Sequence, residues 1–136
     1  MMSRIAIRTT ARAEMVDITE RVQEAVGASD IRMGRCTVFV PHTTAGITIN
    51  EGADPDVRRD LLDALERAIP WSGDYRHTEG NAAAHVRAAL LGTSQTIFIE
   101  DGELALGTWQ AIFFCEFDGP RQRQTWICCE AIDHAL

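Results

Sequence analysis

The chain has 136 residues, of which 46% are hydrophobic and 24% are charged, and this balance predicts one compact domain over residues 1–136. Its 13 basic residues are all arginine and are outnumbered by 20 acidic ones; the net charge of −7 argues against broad electrostatic binding to nucleic acid or to an anionic membrane. The absence of lysine excludes lysine Schiff-base chemistry.

The pattern of the first half predicts a strand at Arg4–Arg8, a helix from Glu20 to about Ala28 capped by Thr19, and strands at Arg35–Val40 and Ala45–Asn50. The clearest element follows. Asp54 is typical of an N-cap, Pro55 of the first helical position, and an apolar stripe continues until Pro70 ends the helix.

The second half begins with a polar loop over residues 71–80, after which Asn81 opens a helix that Gly92 ends. The remaining pattern predicts strands at Ser94–Glu100, Gly107–Cys115 and Gln122–Ala131, joined by turns at Asp101–Gly102 and Asp118–Pro120. This order predicts an α+β fold: a single-domain sandwich of mostly antiparallel sheet with two to three helices.

The targeting and redox features predict a cytoplasmic protein. No stretch approaches the roughly 18 apolar residues that a membrane span needs, and the arginine-containing N-terminal segment does not resemble a secretory signal. The four cysteines form no C-x-x-C pair, and Cys128 and Cys129 are adjacent, so their side chains should face opposite sides of a strand. We therefore expect no disulfide framework.

Three histidines stand at loops and element ends. His42 follows a predicted strand, His77 lies in the polar loop, and His85 lies in the first turns of the next helix. Such a set can form an open tripod for Zn²⁺ or a similar ion, with a fourth position for water or substrate. The alternative is that each is an ordinary surface or capping residue; His134, near the C-terminus, is expected to be exposed.

Carboxylates and amides form a second group of candidates. Glu51 follows Asn50 at a predicted strand end, directly before the helix N-terminus, where catalytic groups often collect. The same residues also have explanations that do not involve catalysis. Asp54 caps the helix, Asp56 stands in the first turn, where the helix dipole favours an acid, and Asn50 lies in a simple turn.

A third group lies in the C-terminal strands. Gln110 stands between an aromatic residue and an apolar run, which is unusual in a core because its amide needs partners; an exposed edge position is the alternative. Arg121 and Arg123 share a face, so they either clamp an anionic ligand or border the sheet. No nucleophile elbow, P-loop or dinucleotide fingerprint is present.

Six blocks in order resemble the YjbQ family, the secondary thiamine-phosphate synthase-like proteins. The blocks are Pro-His-Thr-Thr-Ala-Gly at 41–46, Asn-Glu at 50–51, Asp-Pro-Asp at 54–56, His-Thr-Glu-Gly-Asn at 77–81 with His85, the stretch 94–112 that contains Gly-Thr-Trp-Gln, and Glu-Phe-Asp-Gly-Pro-Arg at 116–121. The resemblance spans about residues 4–132.

This resemblance implies an α+β sandwich that assembles as a homotrimer, with a polar pocket near the subunit boundary. It also implies weak thiamine-phosphate synthase activity, in which pyrophosphate leaves a pyrimidine methyl group that joins a thiazole phosphate. The histidines carry over as ligands of a divalent metal, zinc or magnesium. The catalytic positions carried over are Glu51, Asp54, Gln110 and Glu116, and the ligand-binding positions are Asn50, Asn81 and Arg121.

In such a site a divalent ion and Arg121 would stabilise the departing pyrophosphate. Glu51 or Glu116 would hold the metal or orient the thiazole nitrogen, and Gln110 and Asn81 would read the pyrimidine edge. Histidine nitrogens favour zinc, whereas pyrophosphate chemistry on oxygen ligands favours magnesium, for which Asp54 and Asp56 are better suited.

Two other functions fit the same residues. The first is a metal-assisted hydrolase of a small phosphorylated or acyl compound, with three histidine ligands and a nearby glutamate as base. The second is a non-catalytic trimer that binds a small anionic metabolite. All three functions predict a small molecule as the partner, and a phosphorylated molecule fits each of them.

Overall fold

A computed structural model describes residues 2–132, so His134 lies outside the described residues. Eight strands and three helices form within this range. The strands are β1 (Met2–Arg8), β2 (Glu14–Asp17), β3 (Met33–Phe39), β4 (Ala45–Glu51), β5 (Ser94–Glu100), β6 (Glu103–Leu104), β7 (Gln110–Glu116) and β8 (Gln122–Ala131). The helices are α1 (Thr19–Ser29), α2 (Pro55–Ala68) and α3 (Ala82–Leu91).

The strands form two antiparallel sheets, one with the order β1-β8-β3-β5-β6 and one with the order β2-β7-β4. A first hydrophobic core fills the space between the sheets, where Val22 and Val26 of α1 pack. A second core covers the opposite face of the three-stranded sheet and includes leucines of α2 and alanines of α3. The α+β sandwich predicted from the sequence is confirmed.

Strand β7 lies in the middle of this arrangement and is buried on both faces. Ile112 and Phe114 belong to the core between the sheets, whereas Phe113 and Cys115 belong to the core under the helices. Successive side chains of a strand point to opposite faces, so this one short strand contributes to both cores. Burial of each large apolar side chain here contributes roughly 1.5–3 kcal/mol.

The helix ends test the capping predictions. The Asp54 side chain accepts a hydrogen bond from the backbone N–H of Asp56 at 2.9 Å, which confirms the N-cap of α2. Gly92 ends α3 with a φ of 90°, as expected for glycine. The capping prediction for Thr19 is wrong, because Ile18 occupies the N-cap of α1. The Thr19 hydroxyl instead accepts the backbone N–H of Ile112 at 2.9 Å and ties the helix to β7.

The C-terminal hairpins differ from the sequence prediction. Asp101 and Gly102 do form a tight turn, with φ values of 51° and 80°, but the partner of β5 is the two-residue β6. The next strand begins at Gln110 rather than Gly107, because the Gln110 side-chain oxygen accepts the backbone N–H of Gly107 at 2.8 Å and closes a turn. Strand β2 was not predicted, since four residues are too few to show an alternation.

None of the helices within residues 2–132 is long and apolar enough to cross a membrane. No disulfide links the four cysteines, all of which lie in the described range. Burial raises the pKa of the Cys36 and Cys115 thiols to about 12, so these side chains behave as protonated core residues.

Candidate functional site

A polar cavity of about 460 Å³ opens where β4 begins and β7 ends. We call it the histidine cavity. Its walls come from the β3–β4 loop, the polar loop before α3, the start of α3, and the segment that leads into β8. The lining residues are Pro41, His42, Thr43, Thr44, His77, Glu79, Asn81, His85, Arg121 and Arg123.

The histidine cavity brings together five of the ten residues to which the family resemblance assigns a role, which we call the nominated residues. These are His42, His77, Asn81, His85 and Arg121, which come from segments up to 79 positions apart in the chain. The convergence depends on the pairing of β4 with β7 and on the packing of α3 beside β4, since neither strand alone carries the set.

Four other nominated residues lie at the opposite end of the same strand pair. Ala45 pairs with Glu116 beside the cavity, whereas Glu51 pairs with Gln110 six residues further along. Six residues of strand span about 20 Å. Asn50, Glu51, Asp54 and Gln110 therefore form a separate group in one copy of the chain, which we call the distal group.

His42 is held in one orientation by a backbone contact. Its Nε2 accepts the N–H of Gln124 at 2.9 Å, and its ring stands edge-on to Phe114 at a centroid distance of 6.5 Å. Burial, with the charge of Arg123 as the next cause, lowers the pKa of His42 below its ordinary value. Because Nε2 is an acceptor, the neutral ring carries its proton on Nδ1 and offers a hydrogen-bond donor.

His77 and His85 form a close pair. Their ring centroids lie 5.1 Å apart and the rings are at 81° to each other. The Nε2 atom of His77 is 3.9 Å from a carboxylate oxygen of Glu79. Across residues 2–132, no group of three or more His, Cys, Asp or Glu side chains is arranged to hold a metal ion. A tripod of three histidines is therefore not assembled in this arrangement.

Asn81 carries an unsatisfied polar atom. It occupies the N-cap position of α3 but makes no capping hydrogen bond. Its side-chain nitrogen donates to Asp118 at 2.9 Å, which fixes the orientation of the amide. The amide oxygen is buried and has no hydrogen-bond partner in the described part of the chain. An acceptor without a donor is costly when buried, so this oxygen is suited to a ligand N–H or O–H group or to a cation.

The wall behind the cavity is a buried ion pair. Arg123 is 6% exposed and Glu116 is fully buried. The Glu116 carboxylate accepts from the guanidinium of Arg123, the hydroxyl of Thr9 and the backbone N–H groups of Phe117 and Asp118. Burial by itself raises the pKa of Glu116, but these hydrogen bonds outweigh it and the pKa lies below its ordinary value. In this state both oxygens of Glu116 are engaged in holding Arg123.

Arg121 lies at the rim of the cavity. Its Nη2 contacts the Asp118 carboxylate at 2.9 Å and its Nε donates to the Asp118 carbonyl oxygen at 2.7 Å. Its side chain is 52% exposed. Arg123, which the sequence paired with Arg121 as a candidate anion clamp because the two share a face, also lines the cavity. The sequence analysis missed Thr43, Thr44 and Glu79, whose only signal was that they stand next to the histidines in the chain.

The fold and the site define a class of protein. It is a small two-sheet α+β protein with a histidine- and arginine-lined cavity at one end of its three-stranded sheet. The chain belongs to the YjbQ family, since the model of the family described as "UPF0047 protein YjbQ-like" matches residues 3–130.

Curated relatives agree with this assignment. The chain is 49% identical to the UPF0047 protein YugU of Bacillus subtilis over 128 residues, which cover 93% of this chain and 97% of the relative. It is also 49% identical to the UPF0047 protein MJ1081 of Methanocaldococcus jannaschii, over 93% of this chain and 92% of the relative.

Solved structures have the same fold. A YjbQ/UPF0047 family protein of Clostridium acetobutylicum matches with a TM-score of 0.93 and 51% identity, over 94% of this chain and 99% of that chain. A YbjQ-like protein of Sulfolobus solfataricus matches with a TM-score of 0.93 and 34% identity, over 97% of each chain.

Proposed function

We propose that the histidine cavity binds a small phosphorylated molecule and that the chain is a transferase of the thiamine-phosphate synthase type. In this reaction the exocyclic carbon of a pyrimidine methyl pyrophosphate forms a bond to the nitrogen of a thiazole phosphate while its bond to pyrophosphate breaks. The observation that carries the proposal is the convergence of three histidines, two arginines and Asn81 on one cavity of about 460 Å³. This volume lies within the range of about 300–1,000 Å³ that is typical of small-molecule sites.

The two arginines of the cavity suit an anionic ligand, but such a ligand needs more positive charge than they supply. Arg121 is paired with Asp118 and Arg123 with Glu116, so these arginines alone supply little net positive charge. Nη1 of Arg121 makes no hydrogen bond to the described residues and remains available to a phosphate oxygen. Further positive charge has to come from another source, and a divalent cation would supply it.

We propose that a divalent cation, zinc or magnesium, is held by His77, His85 and the Asn81 side-chain oxygen. The free buried acceptor of Asn81 and the neighbouring histidine rings fit such a mixed set. His42 does not fit as a third nitrogen ligand, because its Nε2 accepts a backbone N–H. Its Nδ1–H would instead donate a hydrogen bond to the ligand. The cation would neutralise charge on the phosphate oxygens.

The distal group lies about 20 Å from the histidine cavity of its own copy, so it would reach a cavity only in an assembly of copies. We propose a cyclic homotrimer in which the distal group of one copy borders the histidine cavity of the next. Two features support it: the nominated residues divide between the two ends of one strand pair, and the acidic distal end complements an arginine- and histidine-lined cavity. Trp109, which is 64% exposed beside the distal group, supplies an apolar contact. Head-to-tail contacts of this kind close into rings.

The test is turnover of the two phosphorylated substrates by the purified protein, with and without added Zn²⁺ or Mg²⁺. Replacement of Arg121 by Gln should lower kcat/KM by about 10- to 100-fold, because a hydrogen bond to a charged group contributes about 1.5–3 kcal/mol. Arg32→Gln is the matched control, since Arg32 also pairs with an exposed aspartate, Asp101, but lies outside both the cavity and the distal group. Its kcat/KM should stay at the wild-type value.

Other outcomes separate the alternatives. Chelator-sensitive hydrolysis of phosphate esters or acyl esters, without bond formation between the two substrates, would indicate the hydrolase. Binding of a phosphorylated ligand that depends on Arg121 but gives no turnover would indicate a binding protein. Metal analysis of the wild type, His85→Ala and Asn81→Ala tests the cation: a stoichiometric metal should be lost from both variants.

A further inference from the structure

A second cavity, of about 350 Å³, lies on the α2 side of the molecule and shares no lining residue with the histidine cavity. We call it the Trp71 cavity. Its apolar surface comes from Leu62 and Leu65 of α2, from Phe117 and from the ring of Trp71. The volume is at the lower end of small-molecule sites, which span about 300–1,000 Å³. The cavity therefore suits a compact ligand with an apolar part.

Four charged side chains surround this apolar surface. They are two arginines, Arg12 and Arg87, and two carboxylates, Asp63 and Glu66. None of the four takes part in an ion pair within the described residues, although opposite charges line the same cavity. The fold thus holds two positive and two negative groups near each other without pairing them.

Arg87 is the most unusual of the four because it is only 3% exposed. Its Nε and Nη2 both donate to the carbonyl oxygen of Ile69, at 3.1 and 2.7 Å. This neutral acceptor satisfies two donors. The Glu66 carboxylate attracts the guanidinium without forming an ion pair with it, and burial outweighs that attraction, so the pKa of Arg87 lies below its ordinary value. Burial of such a group without an anion in direct contact is costly, and an anionic group in the cavity would offset that cost.

Trp71 orders the arginine side of the cavity. The guanidinium carbon of Arg12 lies 4.3 Å from the centroid of the indole ring, and that of Arg87 lies 6.0 Å from it. Cation–π contacts at these distances hold both cations beside an aromatic wall. The carboxylates of Asp63 and Glu66 project from α2, so the two signs of charge approach the cavity from different elements.

We propose that the Trp71 cavity binds a small zwitterion, namely a free α-amino acid with an apolar or aromatic side chain. The carboxylate of the amino acid pairs with Arg12 and Arg87, its ammonium group pairs with Asp63 and Glu66, and its side chain packs on the ring of Trp71 and the leucines. A simple anion would be repelled by the two carboxylates, and a simple cation by the two arginines. The proposal does not depend on the function of the histidine cavity.

Fluorescence of Trp71 tests this binding. The chain has three tryptophans, so the double variant Trp109→Phe/Trp126→Phe leaves Trp71 as the single indole. Titration with L-leucine and L-phenylalanine should give a saturable change. N-acetyl-L-phenylalanine lacks the ammonium charge and L-phenylalaninamide lacks the carboxylate, so each should bind at least about tenfold more weakly than phenylalanine. No saturable change with either amino acid, or equal affinity for the analogues, would overturn the proposal.

Substitutions in the same background assign the site. Asp63→Asn and Glu66→Gln should each weaken phenylalanine binding about tenfold, because each removes one partner of the ammonium group. Asp60→Asn, also on α2 but outside the cavity, is the matched control and should bind as the parent does. His85→Ala should likewise retain amino-acid binding. Unchanged affinity in both Asp63→Asn and Glu66→Gln would contradict the assignment.

Discussion

At the level of single residues, Glu116 illustrates how burial changes the role of a carboxylate. The sequence nominated it as a catalytic group, a role that stays a prediction. In the structure its two oxygens accept hydrogen bonds from Arg123, Thr9 and two backbone N–H groups. The ion pair keeps Arg123 in the cavity wall, and Arg123 in turn is one cause of the lowered pKa of His42. Glu116 therefore acts on the site through its neighbours.

Glu116→Gln should destabilise the fold by about 3–5 kcal/mol, because it leaves the buried charge of Arg123 without a counter-charge. Urea unfolding at neutral pH measures the loss. Glu130→Gln, which removes an exposed partner of Arg35, is the control and should cost less than about 1 kcal/mol. An equal loss in the two variants would contradict the prediction.

The pH dependence of this effect has a defined sign. The pKa of Glu116 lies below its ordinary value of 4.5 in the folded state, so the folded state favours the ionised form. The stabilisation is fully present above that ordinary value and is lost as the pH falls through the lower folded pKa. The difference in unfolding free energy between the wild type and Glu116→Gln should therefore shrink on acidification below 4.5. A difference that stayed constant would show that Glu116 acts through packing alone.

Asp54 has one role that the structure shows and one that is proposed. It caps α2, so Asp54→Ala should cost about 1 kcal/mol, whereas Asp54→Asn keeps a capping oxygen and should cost only a few tenths. Thermal unfolding separates these outcomes. If the distal group borders a neighbouring cavity, Asp54→Asn should lower turnover at unchanged stability. Wild-type turnover in Asp54→Asn would leave Asp54 with the capping role alone.

At the level of elements, the packing of α3 beside β4 positions Asn81 and His85. The contact is close because Gly46 has no side chain: a Cβ atom there would lie 2.8 Å from the carbonyl oxygen of Gly92. The backbone N–H of Ile47 donates to the same carbonyl at 3.1 Å. The glycine of the Pro-His-Thr-Thr-Ala-Gly block is thus required by the approach of the helix end to the strand.

Gly46→Ala should destabilise the protein by about 1–3 kcal/mol and weaken ligand binding in the histidine cavity, because the added atom forces α3 away from β4. Gly27→Ala provides a matched control in α1, where the new Cβ would meet no atom within 4 Å. It should stabilise the protein by about 0.5–1 kcal/mol through helix propensity. Thermal unfolding of both variants measures the change in stability. An unchanged stability of Gly46→Ala would contradict the prediction and mean that α3 moves to accommodate the added atom.

At the level of the whole molecule, the β4–β7 register separates the nominated residues. One end of the strand pair faces the histidine cavity and the other carries the distal group, about 20 Å away in the same copy. A single copy cannot bring Glu51 and His85 to one ligand. In the proposed homotrimer, the distal group of one copy and the histidine cavity of the next would act on the same substrate.

Mixing two variants tests this directly. His85→Ala damages one half of the proposed shared site and Glu51→Gln the other, so each variant should be inactive on its own. After co-refolding in equal amounts, about one quarter of the sites in a cyclic trimer combine two intact halves, and about a quarter of wild-type activity should return. Light scattering should give about three times the 15.1 kDa of one chain. If mixed trimers form but recover no activity, the distal group and the histidine cavity do not share a site.

The sequence by itself determined the α+β class, the caps at Asp54 and Gly92, most element positions and the family, because these depend on local propensity, periodicity and short blocks of residues. It nominated all three histidines of the cavity. Tertiary structure decided which of the ten nominated residues meet, since that depends on strand register and on how α3 packs. It also decided that Glu116 pairs with Arg123 and that His42 accepts a backbone N–H, because both contacts join segments that no local pattern relates.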